Sequence, residues 1–256
     1  MSEQDLVCEQ YATDANLRSR IDLHTRFSTT TVSYPRWAFD GYDFGDEADV
    51  LEVGCGNGLI WHENLDRIPA GWQLTLTDLS PGMIEAARAV LGDRAEYTVA
   101  DVQELPCENA SFDAVIANHM LFHVEDRPRA LGEIARVLRP GGKLRATTIG
   151  HEHLRVLREL VPPRKGGQWE KIRDRFMIET VHEELAPFFA DVEVEPFPDD
   201  GLEVTEIEPL LDYVRSRGDV EEEELEPLRA AAEAEIATRG SFHVTRATSQ
   251  VRASKP

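Results

Sequence analysis

Lysine is nearly missing from this chain, with four among 256 residues at positions 143, 165, 171 and 255. Arginine carries the rest of the 27 basic charges, set against 48 acidic ones, for a formal net charge of −21. A field of that sign repels phosphate backbones and anionic lipid, so neither nucleic acid nor a membrane is an expected partner. Scarce lysine with abundant acid suits a solvated surface in high salt, where self-repulsion is screened, and a halophilic or salt-tolerant source is expected. Cysteine is sparse, odd in number and scattered (Cys8, Cys55, Cys107). That speaks against a disulfide framework and for a reducing compartment, and no zinc-finger spacing accompanies it. No stretch approaches the ~18 apolar residues of a membrane helix, and the opening MSEQDLVCEQ is acidic, without the apolar run of a signal peptide. The expectation is a cytoplasmic protein, monomer or homodimer, with no structural metal. Its hydrophobic content of 41% is enough for a sizeable core.

What is there is an alternation of short apolar runs and amphipathic ones between Asp49 and Thr148. Strands are expected at 50–53, 73–77, 96–100, 112–117 and 143–148, with helices at 59–67, 81–91 and 128–138. In the last helix Ala130, Leu131, Ile134, Val137 and Leu138 recur at helical spacing, and Pro140-Gly141-Gly142 ends it. Strands alternating with helices imply parallel βαβ units and a doubly wound α/β sheet. The whole chain is expected to be one domain, with an N-terminal helical lid (1–45), a cofactor-binding core (46–149) and a C-terminal half with helical insertions (150–256). An extended piece is expected at 192–197 and a closing strand at 242–251, where Phe242, Val244 and Arg246 alternate with His243, Thr245 and Ala247. The acidic run opening at Glu221 reads as a solvated helix start, since acids favour that end of the dipole.

The chemistry concentrates in Val50–Gly58, a strand running into Gly54-x-Gly56-x-Gly58 at the head of a helix. Glycines there let a ligand approach main-chain amides closely, at the carboxyl edge where doubly wound sheets bind ligands. A dinucleotide fingerprint needs its third glycine at position 59, which is Leu59, and Glu52 beside the loop would repel a pyrophosphate. S-adenosylmethionine carries a sulfonium, an ammonium and a carboxylate but no phosphate, and an acid at this place suits it. Asp78 ends the second strand and can accept both hydroxyls of a ribose. Asp101 follows the third and can accept from an adenine amino group, with Val102 beside it. Both can instead be helix caps, although Ser80 before Pro81 is the better cap.

With these residues the chain resembles the class I S-adenosylmethionine-dependent methyltransferases, in the branch acting mostly on small molecules and similar to methyltransferase type 11 and ubiquinone-biosynthesis enzymes. The resemblance is carried by VLEVGCGNG (50–58), LTDLSPGM (76–83), VADVQELP (99–106), SFDAVIANHMLFHV (111–124) and RVLRPGGKL (136–144), in order across 49–148. It implies a Rossmann-like seven-stranded sheet with the last strand antiparallel, for which 242–251 is the candidate. It implies further that Gly54, Gly56 and Gly58 line the methionine part of S-adenosylmethionine with Glu52 near its ammonium, that Leu79 and Met83 flank the adenosine, and that Asn118 lies beside the methyl donor.

A sulfonium methyl is already activated, so a protein chiefly has to position the acceptor; a base is needed only where the acceptor loses a proton. His119 and His123 follow the fourth strand and are the candidate bases, since histidine titrates near neutrality. Their i,i+4 spacing has no third metal ligand with it. From the N-terminal segment, His24 is a further catalytic candidate, and Tyr11, Arg20 and Trp37 are acceptor-binding candidates, Arg20 or Arg26 for a carboxylate and Trp37 as a pocket wall or a contact for a cation. His151 and His153 read as a solvated helix start, and Cys55 as a small loop residue. The leading expectation is methyl transfer to O, N, S or C of a small molecule. The rivals are a methyltransferase acting on RNA or protein, and a non-catalytic binding protein that keeps the fold.

Overall fold

The computed structural model describes residues 15–165, 167–172, 174–198 and 201–256. At its centre is β1 (Glu47–Val53), whose residues 50–53 are all buried because parallel strands cover both of its edges. β2 (Gly71–Asp78) lies on one side, followed by β3 (Ala95–Val99); β4 (Phe112–Asn118) and β5 (Leu138–Ile149) lie on the other. Strand order reverses between β1 and β4, which opens a crevice at the carboxyl ends of those two strands. β9 (Thr248–Ser254) closes the sheet antiparallel to both β5 and β6 (Ala190–Pro196), giving the order β3-β2-β1-β4-β5-β9-β6.

Helices cover the two faces. On one, α2 (Tyr34–Asp40), α3 (Leu59–His62) and α4 (Pro81–Leu91) pack Phe39, Trp61, Ile84 and Ala87 onto Val50, Leu74 and Ile116. On the other, α5 (Arg127–Val137) and α8 (Val181–Leu185) pack Leu131, Ile134 and Leu185 onto Leu51, Val53 and Val115. α5 forms as the apolar spacing predicts, with Ala130, Leu131, Ile134 and Val137 fully buried, Pro128 in its first turn and the Asp126 side chain accepting from Arg129 N.

A third apolar cluster stands apart from the sheet. α1 (Ala15–Phe27), α6 (Arg155–Leu160), α9 (Ile207–Arg215), α10 (Glu226–Arg239) and the two-stranded sheet of β7 (Gly201–Val204) and β8 (Phe242–Thr245) bury Leu23, Leu157, Leu211, Leu228 and Val244 among themselves. α7 (Gln168–Ile172) lies between α6 and α8 in the chain. No helix among the described residues is long and apolar enough to cross a membrane.

Three expectations differ. Pro140-Gly141-Gly142, expected to end the helix, lies inside β5, because the chain passes straight from Val137 of the helix into the strand at Leu138. The stretch 242–251 is two strands: β8 alternates buried Phe242 and Val244 with exposed His243 and Thr245 as a half-covered cap strand, whereas residues 248–251 of β9 are all buried inside the main sheet. The helix expected over 59–67 stops at His62. Asn64 is fully buried and its side-chain amide donates to the Ile60 carbonyl (2.7 Å), the acceptor its own backbone amide would have used; that amide turns to Trp61 O (3.0 Å) and the chain tightens.

Ser80 sets the start of α4, its hydroxyl accepting from Met83 N (3.3 Å). Ser80→Ala should cost about 1 kcal/mol of stability, read as a lower urea midpoint with an unchanged m-value; an unaltered midpoint would show that Pro81 alone starts the helix.

Candidate functional site

Between the carboxyl edge of the sheet and the cap lies a cavity of about 720 Å³. Its floor begins with the glycine loop. Gly54 has φ 65°, and a Cβ there would stand 2.7 Å from the Met120 Cβ, so the turn out of β1 has room only for glycine. Gly56 N donates to Asp78 Oδ2 (2.9 Å), while Asp78 Oδ1 accepts from Ser80 N (2.9 Å). The Asp78 carboxylate thus ties the loop to the end of β2, and burial raises its pKa from its ordinary value. Asp101 accepts from Gln103 N (2.9 Å) at the neighbouring strand end and also lines the cavity, with Val102, Leu79 and Met83.

Glu52 lies deeper, 2% exposed on the central strand. Trp61 Nε1 donates to its Oε2 (2.5 Å) and Asn118 Nδ2 to its Oε1 (3.3 Å). Burial dominates over both donors and, with a smaller push from Asp78, raises its pKa from 4.5 to about 8. Asn118 also donates to Tyr42 Oη (2.7 Å) and accepts from Thr147 Oγ1 (3.2 Å), which in turn meets Tyr34 Oη (2.8 Å). One network therefore crosses from β1 through β4 to β5 and α2.

His119 follows Asn118 with φ 49°, a left-handed conformation uncommon for a residue other than glycine. Its amide is fixed on Thr147, donating to the carbonyl O (3.0 Å) and to Oγ1 (3.2 Å), and its ring lies 5.2 Å from Tyr34. His24, His123 and His153 line the same cavity. His24 stacks on His153 at 5.9 Å, and Ala247 N donates to His153 Nδ1 (3.3 Å). Burial lowers His119 to about 4 and, helped by Arg246 for His24 and by Arg20 for His123, lowers those two to about 3. His153 lies well below its ordinary value for the same first reason. All four imidazoles are neutral at pH 7.

Of the residues singled out in the sequence, Glu52, Gly54, Gly56, Asp78, Leu79, Met83, Asp101, Val102, Asn118, Arg20, His24, His119 and His123 line this cavity. Gly58 does not: it caps α3 with φ 75° and faces α4, where an added Cβ would meet Ala87 Cα at 3.2 Å. Trp37 is not a wall either; it backs the wall, 5.0 Å from Phe197 and 6.2 Å from Tyr34. Arg26 points outward to Asp22 and Glu206. Tyr11 lies outside the described residues. Cys55 is buried, which raises its thiol well above the ordinary value and keeps it protonated.

His153 is 8% exposed rather than a solvated helix start, while His151 is the exposed one of the pair. Arg246, Phe197 and Trp169 also line the cavity, unanticipated as site residues. The one local signal was at Arg246, which shares the inward face of the 242–246 alternation with Phe242 and Val244. Among the described residues no group of three potential ligands is placed to hold a metal ion.

A carboxyl group that is neutral when buried makes stability depend on pH. Because folding raises the Glu52 pKa from 4.5 to about 8, its contribution is full below the unfolded value and is lost as pH rises through 8. Glu52→Gln keeps an acceptor for Trp61 and removes the titration. Its stability relative to wild type should therefore rise steadily from pH 5 to pH 8 in urea melts of the ligand-free protein; a constant difference would mean Glu52 is ionised throughout.

Residues 51–146 match the methyltransferase domain family. Over 107 residues the chain is 44% identical to a malonyl-[acyl-carrier protein] O-methyltransferase of Hahella chejuensis, covering 41% of this chain and 38% of that protein. Over 106 residues it is 42% identical to a ubiquinone biosynthesis O-methyltransferase of Xanthomonas axonopodis pv. citri, covering 40% and 43%. The matched stretch thus spans less than half the length of these curated relatives. Among solved structures, a phosphoethanolamine N-methyltransferase of Haemonchus contortus with phosphomonomethylethanolamine and S-adenosylhomocysteine superposes with a TM-score of 0.63 at 18% identity, over 100% of this chain and 61% of that one. At that identity the likeness concerns the fold, a mostly parallel seven-stranded sheet. The likeness to the methyltransferase domain family is thus confined to the core of this chain, residues 51–146.

Proposed function

We propose that this protein is an S-adenosylmethionine-dependent methyltransferase acting on a small-molecule acceptor held between the sheet and the cap. The observation that carries the reading is Glu52, a buried carboxyl group at the glycine loop with two donors already on it. Such a group is costly in its charged form, and a cation offsets that cost. The residues around it suit S-adenosylmethionine: a glycine turn too tight for a Cβ, acids toward an ammonium and a sulfonium, and carboxylates at the ends of β2 and β3 for hydroxyl and amino donors. Glu52 and Asn118 would hold the amino-acid end, Gly54 and Gly56 would border it, Asp78 would accept from the ribose hydroxyls, and Asp101 with Val102, Leu79 and Met83 would enclose the adenosine. When bound, this cofactor would supply a sulfonium-activated methyl group for transfer to a lone pair of the acceptor.

The chain's own contribution is placement and dryness. α1, α6 and α9 each contribute residues to the cavity wall, which limits the water around a bound acceptor. Tyr34 and His119 stand together where β4 and β5 end, beside the Asn118 that would face the methyl donor. A neutral His119 accepts a hydrogen bond from an acceptor O–H or N–H and orients it, while its low pKa makes it a weak store for the proton. A cavity of this size favours a small acceptor over RNA or a folded protein, and we read the described residues of 1–45 and 150–256 as lid and cap of one domain with the core.

Calorimetric titration with S-adenosylmethionine between pH 6 and pH 8 tests this. If the ammonium settles beside Glu52, binding expels the Glu52 proton, and the affinity ratio of wild type to Glu52→Gln should rise by up to about tenfold per pH unit below 8. Taking the ratio cancels the ligand's own titration. Asp78→Ala should weaken binding by about 10- to 100-fold at any pH in this range, as charge-assisted bonds are lost. A flat ratio would remove the ammonium from Glu52, and unaltered binding by Asp78→Ala would remove the ribose from Asp78.

A further inference from the structure

The hydrogen bonds behind the cavity wall have a direction. As a carboxylate, the form that a neighbouring ammonium would draw it into, Glu52 can only accept. Asn118 then turns its Nδ2 to Glu52 Oε1 (3.3 Å) and to Tyr42 Oη (2.7 Å), which leaves its Oδ1 for Thr147. Thr147 gives its single hydroxyl hydrogen to that Oδ1 (3.2 Å). Its Oγ1 has two acceptor positions and both are filled, one by the His119 amide N–H (3.2 Å) and one by the Tyr34 hydroxyl (2.8 Å). Thr147 has no hydrogen left for Tyr34, so Tyr34 is the donor of that pair. Burial raises the Tyr34 phenol above its ordinary value and keeps the hydrogen in place.

The consequence falls on the cavity. Tyr34 is half-buried in its wall, and its hydroxyl makes no other hydrogen bond among the described residues. With its hydrogen on Thr147 it offers the cavity lone pairs alone. Beside it, at 5.2 Å between ring centroids, lies His119, whose ring touches Tyr34 and Phe122 but makes no hydrogen bond among the described residues. A neutral imidazole keeps one nitrogen as an acceptor. Two acceptors therefore adjoin next to Asn118, with Phe122 on one side and Phe197 meeting Tyr34 edge-on at 6.1 Å. A group placed against them has to bring hydrogens. An anion or an ether oxygen brings none and sets lone pair against lone pair. A hydroxyl brings one, whereas a primary amine brings two and still has a lone pair to direct elsewhere.

We propose that Tyr34 Oη and His119 form an N–H-receiving pair that orients the acceptor, and that the acceptor's reacting group is a neutral amine carried on an apolar frame. The proposal rests on the methyltransferase reading above and names the acceptor class for it. Glu52 governs this specificity from a distance, because its charge sets, through Asn118 and Thr147, which end of a hydrogen bond Tyr34 presents. Glu52→Gln reverses the chain. Its side-chain oxygen has to face the Trp61 indole N–H, so its amide nitrogen faces Asn118. Asn118 answers with Oδ1 and turns Nδ2 to Thr147; Thr147 then donates to Tyr34, whose hydrogen is freed toward the cavity. A site that selected hydrogen donors becomes one that selects acceptors.

The test uses the full chain saturated with S-adenosylhomocysteine and titrated at neutral pH with three uncharged probes of one shape: indan-5-amine, indan-5-ol and indane. In wild type the amine should bind about tenfold tighter than indane, with the alcohol between them. In Tyr34→Phe the advantage of the amine over indane should fall to about threefold or less. In Glu52→Gln the alcohol, which also accepts well, should overtake the amine. A second readout needs no probe. The ultraviolet Raman doublet of Tyr34, isolated as wild type minus Tyr34→Phe, should report a donating phenol, and the same difference taken in the Glu52→Gln background should report an accepting one. Equal affinity for amine and indane, no probe binding at millimolar concentration, an amine preference that survives Tyr34→Phe, or an accepting phenol in wild type would each overturn the proposal. Amine preference without S-adenosylhomocysteine binding would instead sink the methyl-donor reading and leave the N–H-receiving pair standing.

Discussion

A carboxyl group in the middle of a parallel sheet has to be satisfied by the strands and helices around it, and much of the site is the consequence of placing Glu52 there. On β1 its neighbours across the strands are Leu76 and Ile116, neither of which offers a donor. The donors must come from above the sheet edge, and they do. Trp61, fully buried on α3, points its indole N–H at the carboxyl, and Asn118 at the end of β4 supplies the second bond. Asn118 in turn is fixed by Tyr42 and Thr147, and Thr147 by Tyr34. A polar network of this kind is stable only when its members are satisfied together. The short helix α3, the loop after α2 and the edge of β5 are therefore locked to one another through a single acid. The same chain of contacts fixes the amide of His119, which leaves β4 in a left-handed turn and sets its ring over the cavity.

Charge operates on two scales in this molecule. Outside, the large acidic excess is spread over solvated side chains, and ion pairs such as Arg215 with Glu222 or Arg26 with Glu206 tie neighbouring elements at the surface. Each contributes little on its own, and the field they leave is cut to within about 10 Å by 0.1 M salt. Inside the cavity screening is weaker, and burial sets the protonation of the groups that line it. Burial and the neighbouring guanidiniums together keep His24, His123 and His153 neutral, so net charge is a poor guide to what a ligand meets within.

The core was legible because its signals are local. A buried strand, a glycine turn and an amphipathic helix each fit in a dozen residues, and α4 and α5 fall within a residue of the periodicity that announces them. Strand-end acids were legible for the same reason, since the turn that follows a parallel strand always faces the carboxyl edge. The cap was not. Its sheet joins residues 201–204 to 242–245, and Arg20 meets Ser216 across 196 positions; no spacing in the sequence encodes such encounters. His153 illustrates the cost: a histidine two residues beyond His151 looks equally solvated until β8, β9 and α1 are laid over it. Gly58 shows the converse. Three glycines in a row of alternate positions suggest one role, yet the third turns away from the cavity because the helix it caps must pack closely on α4.

The neutral histidines bear on which acceptors the proposed reaction can use. A base whose conjugate acid has a pKa near 4, as for His119, holds a proton so weakly that removing one from an alcohol or a neutral amine before transfer would be steeply uphill. Catalysis by a fully formed imidazolium is thus disfavoured by the same burial that makes the cavity dry. Two kinds of acceptor escape the difficulty. One is a neutral amine, which attacks first and sheds its proton afterwards. The other is an acceptor that arrives already ionised. The neutral imidazoles follow first from that burial, with arginines adding to it at His24 and His123, so any charge needed for attack has to be carried in by the substrate instead of being generated by a histidine base.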